Sequence, residues 1–310
     1  MITTITLNAS IDKAYYMKGT IENGTVMRVM ECRNSAGGKG LNVARVVKLC
    51  GGQVKASGMV GGFNGAYLES MLDKDGINHE FYHIAGETRS CINILDQGYG
   101  STEYLEPGCG VTEEEVTEFL TQVFPQVIRD SDVVTISGSV PKGCGTDIYA
   151  RMIETIKSLG KQVILDTSGQ LLKEGIKAKP TMVKPNQDEI ELLYDTKITS
   201  FEEVKKYAQA IHEEGIEYVV ISLGGDGALL VCKDGMFQGK PPKVEVINTV
   251  GCGDSMVGAF AAALEKKLSG PEALKYAVSV ASANACTPDT GRFDPAKAQE
   301  IFQGVTITQL

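Results

Sequence analysis

The chain has no tryptophan, only three histidines, and 6 % aromatic residues. With so few histidines, no Ser/His/Asp ordering stands out for nucleophilic catalysis. His79 and His83 sit four apart on a strand-like run, the wrong reach for a helical metal pair. The eight cysteines are scattered without a Cys-x-x-Cys pair. That argues against zinc and against a disulfide framework, and it fits a reducing cytoplasm. No apolar run reaches the roughly 18 residues of a membrane span. The stretch Met1 to Leu7 lacks a basic leader and reads as a strand. Positive charge is not in excess either. A net charge of −9 and a pI near 5.0 disfavour nucleic acid and anionic membranes as partners. An anionic small substrate stays open, because local basic residues can override the global sign.

What is present suits a large α/β body: 310 residues, 43 % apolar and 22 % charged. Residues 2–7 read as a strand and 12–34 as a β excursion with turns at Gly19 and Gly24. A helix opens near Ala36 and runs to about Leu49. A strand at 54–60 and a helix at 65–74 follow, then strand-like runs near 79–84, 90–96 and 101–106. The last two flank Gly98-Tyr99-Gly100, a hairpin signal. From residue 112, helices at 112–128, 145–159, 187–194 and 201–214 alternate with short apolar strands at 132–138, 162–166, 181–184 and 218–222. This rhythm predicts a mainly parallel sheet covered on both faces. Strands at 228–232 and 243–247 and helices at 254–267, 271–286 and 295–303 complete the reading. No linker breaks the chain, so one domain over 1–310 is expected, with a small β lid from about 12–34 and 88–108.

Three loops can carry chemistry. Asn248 to Phe260 turns on Gly251 and Gly253 and enters an apolar helix with Asp254 at its start. Free N–H groups and the helix dipole make such an end attractive to anions. Asp254 is then either a simple N-cap or a base beside a phosphate cradle. Gly37-Gly38-Lys39-Gly40 is neither a Walker loop nor a dinucleotide fingerprint. It is a tight turn before a helix, or a place for an anionic ligand to approach the backbone. Lys184-Pro185-Asn186-Gln187-Asp188-Glu189 ends a buried strand, where open α/β sheets bind ligands. Asn186 and Glu189 are spaced for a capping box and equally for oxygen ligation of magnesium. Ser222 to Gly227 ends another strand, as a nucleotide loop or a turn.

Taken together, Gly-Gly-x-Gly-x-Asn near 40, Asn-x-x-Glu near 186 and Gly-x-Gly-Asp near 254 resemble the PfkB (ribokinase-like) carbohydrate kinases. The likeness covers residues 1 to about 291. Leu7 to Asp12, Ile136 to Gly143 and Thr249 to Ser255 look like the hexose-phosphate branch. The resemblance implies a three-layer α/β/α ribokinase-like domain with a small β-sheet lid, using ATP and Mg2+. It implies Asp254 as base, with the N–H groups of Gly251, Cys252 and Gly253 as anion hole. Asp12, Gly38, Asn42 and Ser139 would hold the sugar. Lys39 and Arg89 would hold its existing phosphate, with Arg28 reaching from a partner's lid. Lys184, Asn186, Ser222, Gly224, Gly227, Gly253 and Asn284 would line the ATP site, and Asn186 and Glu189 would serve the metal. The lid would pair two copies into a homodimer.

Gly86 to Ile92 and Thr102 to Glu106 are similar to enzymes acting on tagatose 6-phosphate, with fructose 1-phosphate as the alternative substrate. A catalytically silent sugar-phosphate sensor is the competing class, opposed by the intact Asp254, Asn186 and Glu189. Departures are Ala9, Asn248 and Cys252. Cys252 at a helix N-terminus is expected to have a lowered pKa and to be sensitive to thiol reagents.

Overall fold

The computed structural model describes residues 1–310. A central strand, β1 (Ile2–Thr6), leads into β2 (Ser10–Tyr16) and β3 (Glu31–Gly37), then α1 (Lys39–Leu49). Next come β4 (Val54–Val60), α2 (Gly62–Asp75), β5 (Asn78–His83), β6 (Arg89–Asp96) and β7 (Gly100–Leu105). The helix expected over 112–128 is interrupted. α3 (Glu113–Glu118) passes through a π-helical stretch (Phe119–Val123) into α4 (Phe124–Val127), because Pro125 supplies no N–H to the ladder. The alternating half follows: β8 (Val133–Ser137), α5 (Ile148–Ser158), β9 (Gln162–Asp166), α6 (Gly169–Lys177), β10 (Met182–Val183), α7 (Gln187–Tyr194), α8 (Phe201–Glu213) and β11 (Tyr218–Ser222). A 3-10 turn (Gly224–Asp226), β12 (Ala228–Cys232), β13 (Gly235–Lys240), α9 (Cys252–Glu265), α10 (Gly270–Ala285), α11 (Pro295–Gly304) and β14 (Thr306–Gln309) close the chain.

Ten strands form one sheet in the order β14-β13-β12-β11-β10-β9-β8-β1-β4-β5. The seven from β5 to β11 run parallel, and β12, β13 and β14 extend it antiparallel. Parallel strands buried on both sides need apolar residues in succession, and the sequence supplies them. In β8 Val133 faces one core and Val134 the other; in β11 Val220 and Val219 divide the same way. One core packs α1, α2, α9, α10 and α11 on one face, and the second packs α3 to α8 on the other. The result is the three-layer ribokinase-like α/β/α architecture.

Three expectations are corrected. No strand spans 243–247; the partner of β12 is β13 at 235–240, with a two-residue turn between them, and 241–250 is a loop. The sequence reading left 167–180 without an element, and α6 lies there. It also ended before β14, which pairs with β13 (Phe237 with Gln309).

A second sheet, β3-β2-β6-β7, stands apart. The chain enters it straight from the end of β1 and leaves it into α1, then returns after β5. Asp12, Cys91 and Leu105 lie side by side across three of its strands, as do Tyr15, Ile94 and Thr102 on the opposite face. The strand order reverses at β1, with β4 on one side and β8 on the other. That switch point, at the carboxyl ends of the strands, is where open α/β sheets accept ligands.

Helix α1 lies directly on α9 because Gly258 has no side chain. A Cβ there would come within 2.7 Å of Val46 Cγ1 and 3.1 Å of the Val43 carbonyl. A glycine inside a helix costs about 1 kcal/mol relative to alanine, so the close approach must offset that loss. Gly258→Val is expected to destabilise the protein by about 1–3 kcal/mol through overpacking. Urea unfolding with an unchanged slope should show a lower midpoint; a midpoint equal to the parent's would refute the tight contact.

Candidate active site

The carboxyl ends of β1, β8, β9, β10 and β11, the N-termini of α1 and α9, and one face of the small sheet enclose a cleft of about 1260 Å3. Gly251 opens α9 in the left-handed region at φ 83°. Only glycine fits comfortably, since a Cβ would also approach Thr290 Cγ2 to 2.7 Å. Asn248 secures the turn: its Oδ1 accepts from the Val250 N–H (3.0 Å) and its Nδ2 donates to the Pro288 carbonyl (3.0 Å). Of the three N–H groups expected to face an anion, that of Cys252 already donates to the Thr249 carbonyl at 3.3 Å.

Asp254 follows at the start of α9, 7 % exposed. Its Oδ2 accepts a hydrogen bond from Asn42 Nδ2 at 2.7 Å. Burial pushes its pKa up to about 6, and the nearby Asp166 carboxylate adds to the rise; Lys39, Asn42 and Lys184 work against it. A helix N-terminus alone would favour the ionised form. Loss of hydration outweighs the dipole, and the carboxyl becomes a better base near neutral pH.

Asp166 ends β9 and is 1 % exposed. Lys184 Nζ lies 3.2 Å from its Oδ1 and Lys39 Nζ 3.6 Å from its Oδ2. Neither contact meets hydrogen-bond geometry, so the two oxygens are held chiefly by the charge of the ammonium groups. Burial would raise this carboxyl, but the two ammonium groups outweigh it and hold it below its usual value. Asp166 beside Lys39 in turn holds that lysine well above its ordinary range. Lys184 Nζ also sits against α9: a Cβ on Gly253 would be 3.3 Å away. Two carboxylates, two lysines and a helix N-terminus therefore converge, and the same point is where a polyanion would be neutralised.

The structure brings Asp12, Gly38, Lys39, Asn42, Arg89 and Ser139 to this cleft, together with Lys184, Asn186, Glu189 and Ser222, and Gly251, Gly253 and Asp254. Asp12 reaches in from the small sheet and accepts from Ser10 Oγ at 2.6 Å. Arg89 donates to the Asn8 carbonyl (3.0 Å) and the Glu106 carbonyl (2.7 Å), and also borders a side cavity of about 310 Å3. Asn186 and Glu189 form a reciprocal capping box at α7, with Asn186 Oδ1 accepting from the Glu189 N–H (2.8 Å) and Glu189 Oε2 from the Asn186 N–H (2.9 Å). Both still face the cleft, so capping and ligand contact are compatible.

Other expected residues stand elsewhere. Arg28 is exposed in the 21–30 segment and does not reach the cleft. Gly224 and Gly227 shape the turn after β11 at φ 58° and 85° rather than forming its wall. Asn284 is fully buried behind the α9 turn, where its Nδ2 donates to the Val250 carbonyl (3.1 Å) and approaches Cys252 Sγ (3.5 Å). Burial pushes the Cys252 thiol up, opposite to the lowering expected at a helix end. It stays a thiol at neutral pH, which removes the basis for special reactivity.

Sequence reasoning missed Asp166 as a site residue. Its signal was there: a carboxylate at the end of an apolar strand, in the position that Lys184 and Ser222 occupy on theirs.

Comparison with known proteins fits this geometry. A model of the pfkB family of carbohydrate kinases matches residues 5–297. The tagatose-6-phosphate kinase of Staphylococcus epidermidis is 38 % identical over the full length of both chains. Phosphofructokinase-2 from Escherichia coli superposes with a TM-score of 0.92 at 30 % identity, covering 97 % of this chain and 98 % of that one. Its complex with fructose-6-phosphate gives 0.89 at 29 %. A ribokinase from Thermotoga maritima, 21 % identical with a TM-score of 0.78, shares the fold.

A reaction in which Asp254 takes a proton needs the ionised form, which is lost as pH falls through about 6. The acid limb of kcat/KM is expected there. A profile flat between roughly pH 5 and 8 would remove Asp254 from that role.

Proposed function

The chain belongs to the pfkB family of carbohydrate kinases, and from that premise we propose that it transfers a phosphoryl group from ATP to tagatose 6-phosphate, giving tagatose 1,6-bisphosphate. The observation that carries this reading is the buried Asp254 at the N-terminus of α9, facing Lys39 and Lys184. Full-length identity of 38 % to a tagatose-6-phosphate kinase supports the choice of sugar.

In this reading Asp254 accepts the proton of the attacking hydroxyl through the oxygen that Asn42 leaves free. The N–H groups of Gly251 and Gly253 receive the transferring phosphoryl oxygens. Phosphoryl transfer asks little of the base and much of positioning and charge neutralisation. Lys184, against Gly253, serves that neutralisation. The position of Lys39 beside Asp166 and Lys184 supports placing it there too, rather than on the sugar's existing phosphate. Arg89, at the small sheet's edge, is left for the existing phosphate; Asp12, Asn42, Gly38 and Ser139 hold sugar hydroxyls. The small sheet acts as the lid that excludes water.

Magnesium fits the donor set. Asp166 carries two buried oxygens without hydrogen-bond donors, and Glu189 keeps Oε1 outside the capping box. When bound, magnesium would neutralise phosphate charge; Glu189, Asn186 and Asp166 are the residues to hold it.

The lid's outer face leaves Tyr15 and Ile94 half-buried and Tyr104 exposed, and the 21–30 segment exposes Val26 and Met30. An apolar sheet face of this kind favours pairing with a second copy, which would give Arg28 a site to reach. Sedimentation as a monomer at micromolar concentration would refute the homodimer.

The decisive assay is ADP release with Mg-ATP against tagatose 6-phosphate, fructose 1-phosphate and fructose 6-phosphate. The highest kcat/KM is expected on tagatose 6-phosphate. A preference for either fructose phosphate overturns the substrate but keeps the kinase. Asp254→Asn should lower turnover by about 100-fold or more while sparing sugar-phosphate binding; unchanged turnover would remove the base.

A further inference from the structure

We propose that Arg45, a residue given no role above, is a positioning residue: it fixes the amide of Asn42 so that the NH2 end faces the catalytic carboxylate Asp254. Arg45 sits on α1 three residues after Asn42, with its side chain 4 % exposed. Its Nη1 donates to Asn42 Oδ1 at 2.8 Å, its Nε to Asp75 Oδ2 at 3.2 Å, and its Nη2 to the Ala36 carbonyl. Asp75, at the end of α2, is held from the other side by Arg292 Nη2 at 2.9 Å. The guanidinium is thus clamped between α2 and the end of β3, with Nη1 aimed at Asn42.

The orientation follows from chemistry. An amide can present either its oxygen or its nitrogen, and the two ends differ little in shape. A guanidinium has five donors and no acceptor. Whatever faces Nη1 must be an acceptor, so Asn42 is obliged to turn Oδ1 to Arg45 and Nδ2 to Asp254. Flipped, it would set a carbonyl oxygen against a buried carboxylate, and the base would lose the one side-chain hydrogen bond that favours its ionised form. With the donor in place, one carboxylate oxygen is occupied and the other is left for a substrate hydroxyl. Arg45 therefore reaches Asp254 through Asn42; its charge also acts on Asp12 across the cleft, so the test must separate an effect on turnover from one on sugar binding.

The charged surroundings of Asp254 come from several elements: Lys39 on α1, Asp166 on β9, Lys184 after β10 and the Cys252 thiol on α9. None of these hydrogen-bonds Arg45, whose own charged neighbours are Asp75, Arg292 and Asp12, so the hydrogen-bonded route from Arg45 to Asp254 runs by way of Asn42.

The inference rests on Asp254 being the base, and the test separates the two. The full-length enzyme is prepared as Arg45→Met, Arg45→Lys, Asn42→Ala and the double variant Arg45→Lys/Asn42→Ala, with folding checked by circular dichroism. Arg45→Met is expected to lower kcat about 10- to 100-fold with KM for sugar phosphate and ATP changed less than about 3-fold. The acid limb of kcat should move to higher pH, because the ionised base has lost its donor. Arg45→Lys, which keeps a charged donor, should recover part of both. The loss from Arg45→Lys should vanish in the Asn42→Ala background. Additive losses, an unmoved acid limb, or a KM effect larger than the kcat effect would overturn the proposal. If Arg45→Met does not fold, the Arg45→Lys cycle with Asn42→Ala decides alone. A fully active Asp254→Asn enzyme would instead show that the base assignment had failed.

Discussion

Everything at the cleft depends on two carboxylates kept out of water. Asp254 and Asp166 are buried near each other, an arrangement that repulsion and lost hydration both oppose. What makes it tolerable is the ring of positive charge at the strand ends: Lys184, Lys39 and the N-terminus of α9. The balance is uneven, and the unevenness is useful. Asp166 takes the closer share of the lysines and stays ionised. Asp254 is left with a neutral amide as its only side-chain donor and is pushed upward. Two chemically identical groups thus divide into one held ionised and one pushed up towards neutral pH, by environment alone, and the second is the group proposed as base. A site holding four fixed charges in this way is prepared for an incoming polyanion, which can take over the lysines that Asp166 now holds.

The scaffold's part is to set distances. Asn42 reaches Asp254 across 212 residues of chain, and it does so because α1 and α9 touch along Gly258. The same economy appears at α7, where Asn186 and Glu189 complete the helix end and still present oxygens to the cleft. One pair of side chains caps the helix and lines the cleft, so the capping box does not exclude the ligand contact proposed for it.

Much of this was legible from residue order. Continuous apolar runs located β8, β9 and β11, because strands buried on both faces leave no room for alternation. The glycine turns and the Asn-x-x-Glu spacing marked three of the loops that meet at the cleft. Failures had physical causes. Pro241 and Pro242 precede the run 243–247, whose β-prone residues suggested a strand; the sheet instead uses 235–240, where the turn at Lys233-Asp234 permits tight pairing with β12. α6 went unread because Gly169 and Gly175 weaken its helical signal, yet a Cβ on Gly175 would collide with Leu165 of β9. Asp166 was read only as a strand's last residue, since its lysine partners lie 127 and 18 positions away. Linear spacing carries no trace of such a contact.

The small sheet is fastened to the body by four chain crossings, and these run through Asn8 to Ser10, Gly37 and Gly38, Thr88 and Arg89, and Glu106 to Gly108. Several of them, Asn8, Ser10, Gly38 and Arg89, line the cleft. The joints of the small sheet and the wall of the cleft therefore share residues. If the small sheet moves as the proposed lid, a substitution at these positions that changes sugar preference would also change how the sheet swings on the body, and selectivity would be coupled to release rate. Separating the two would require the chain to cross between the sheets at residues away from the cleft.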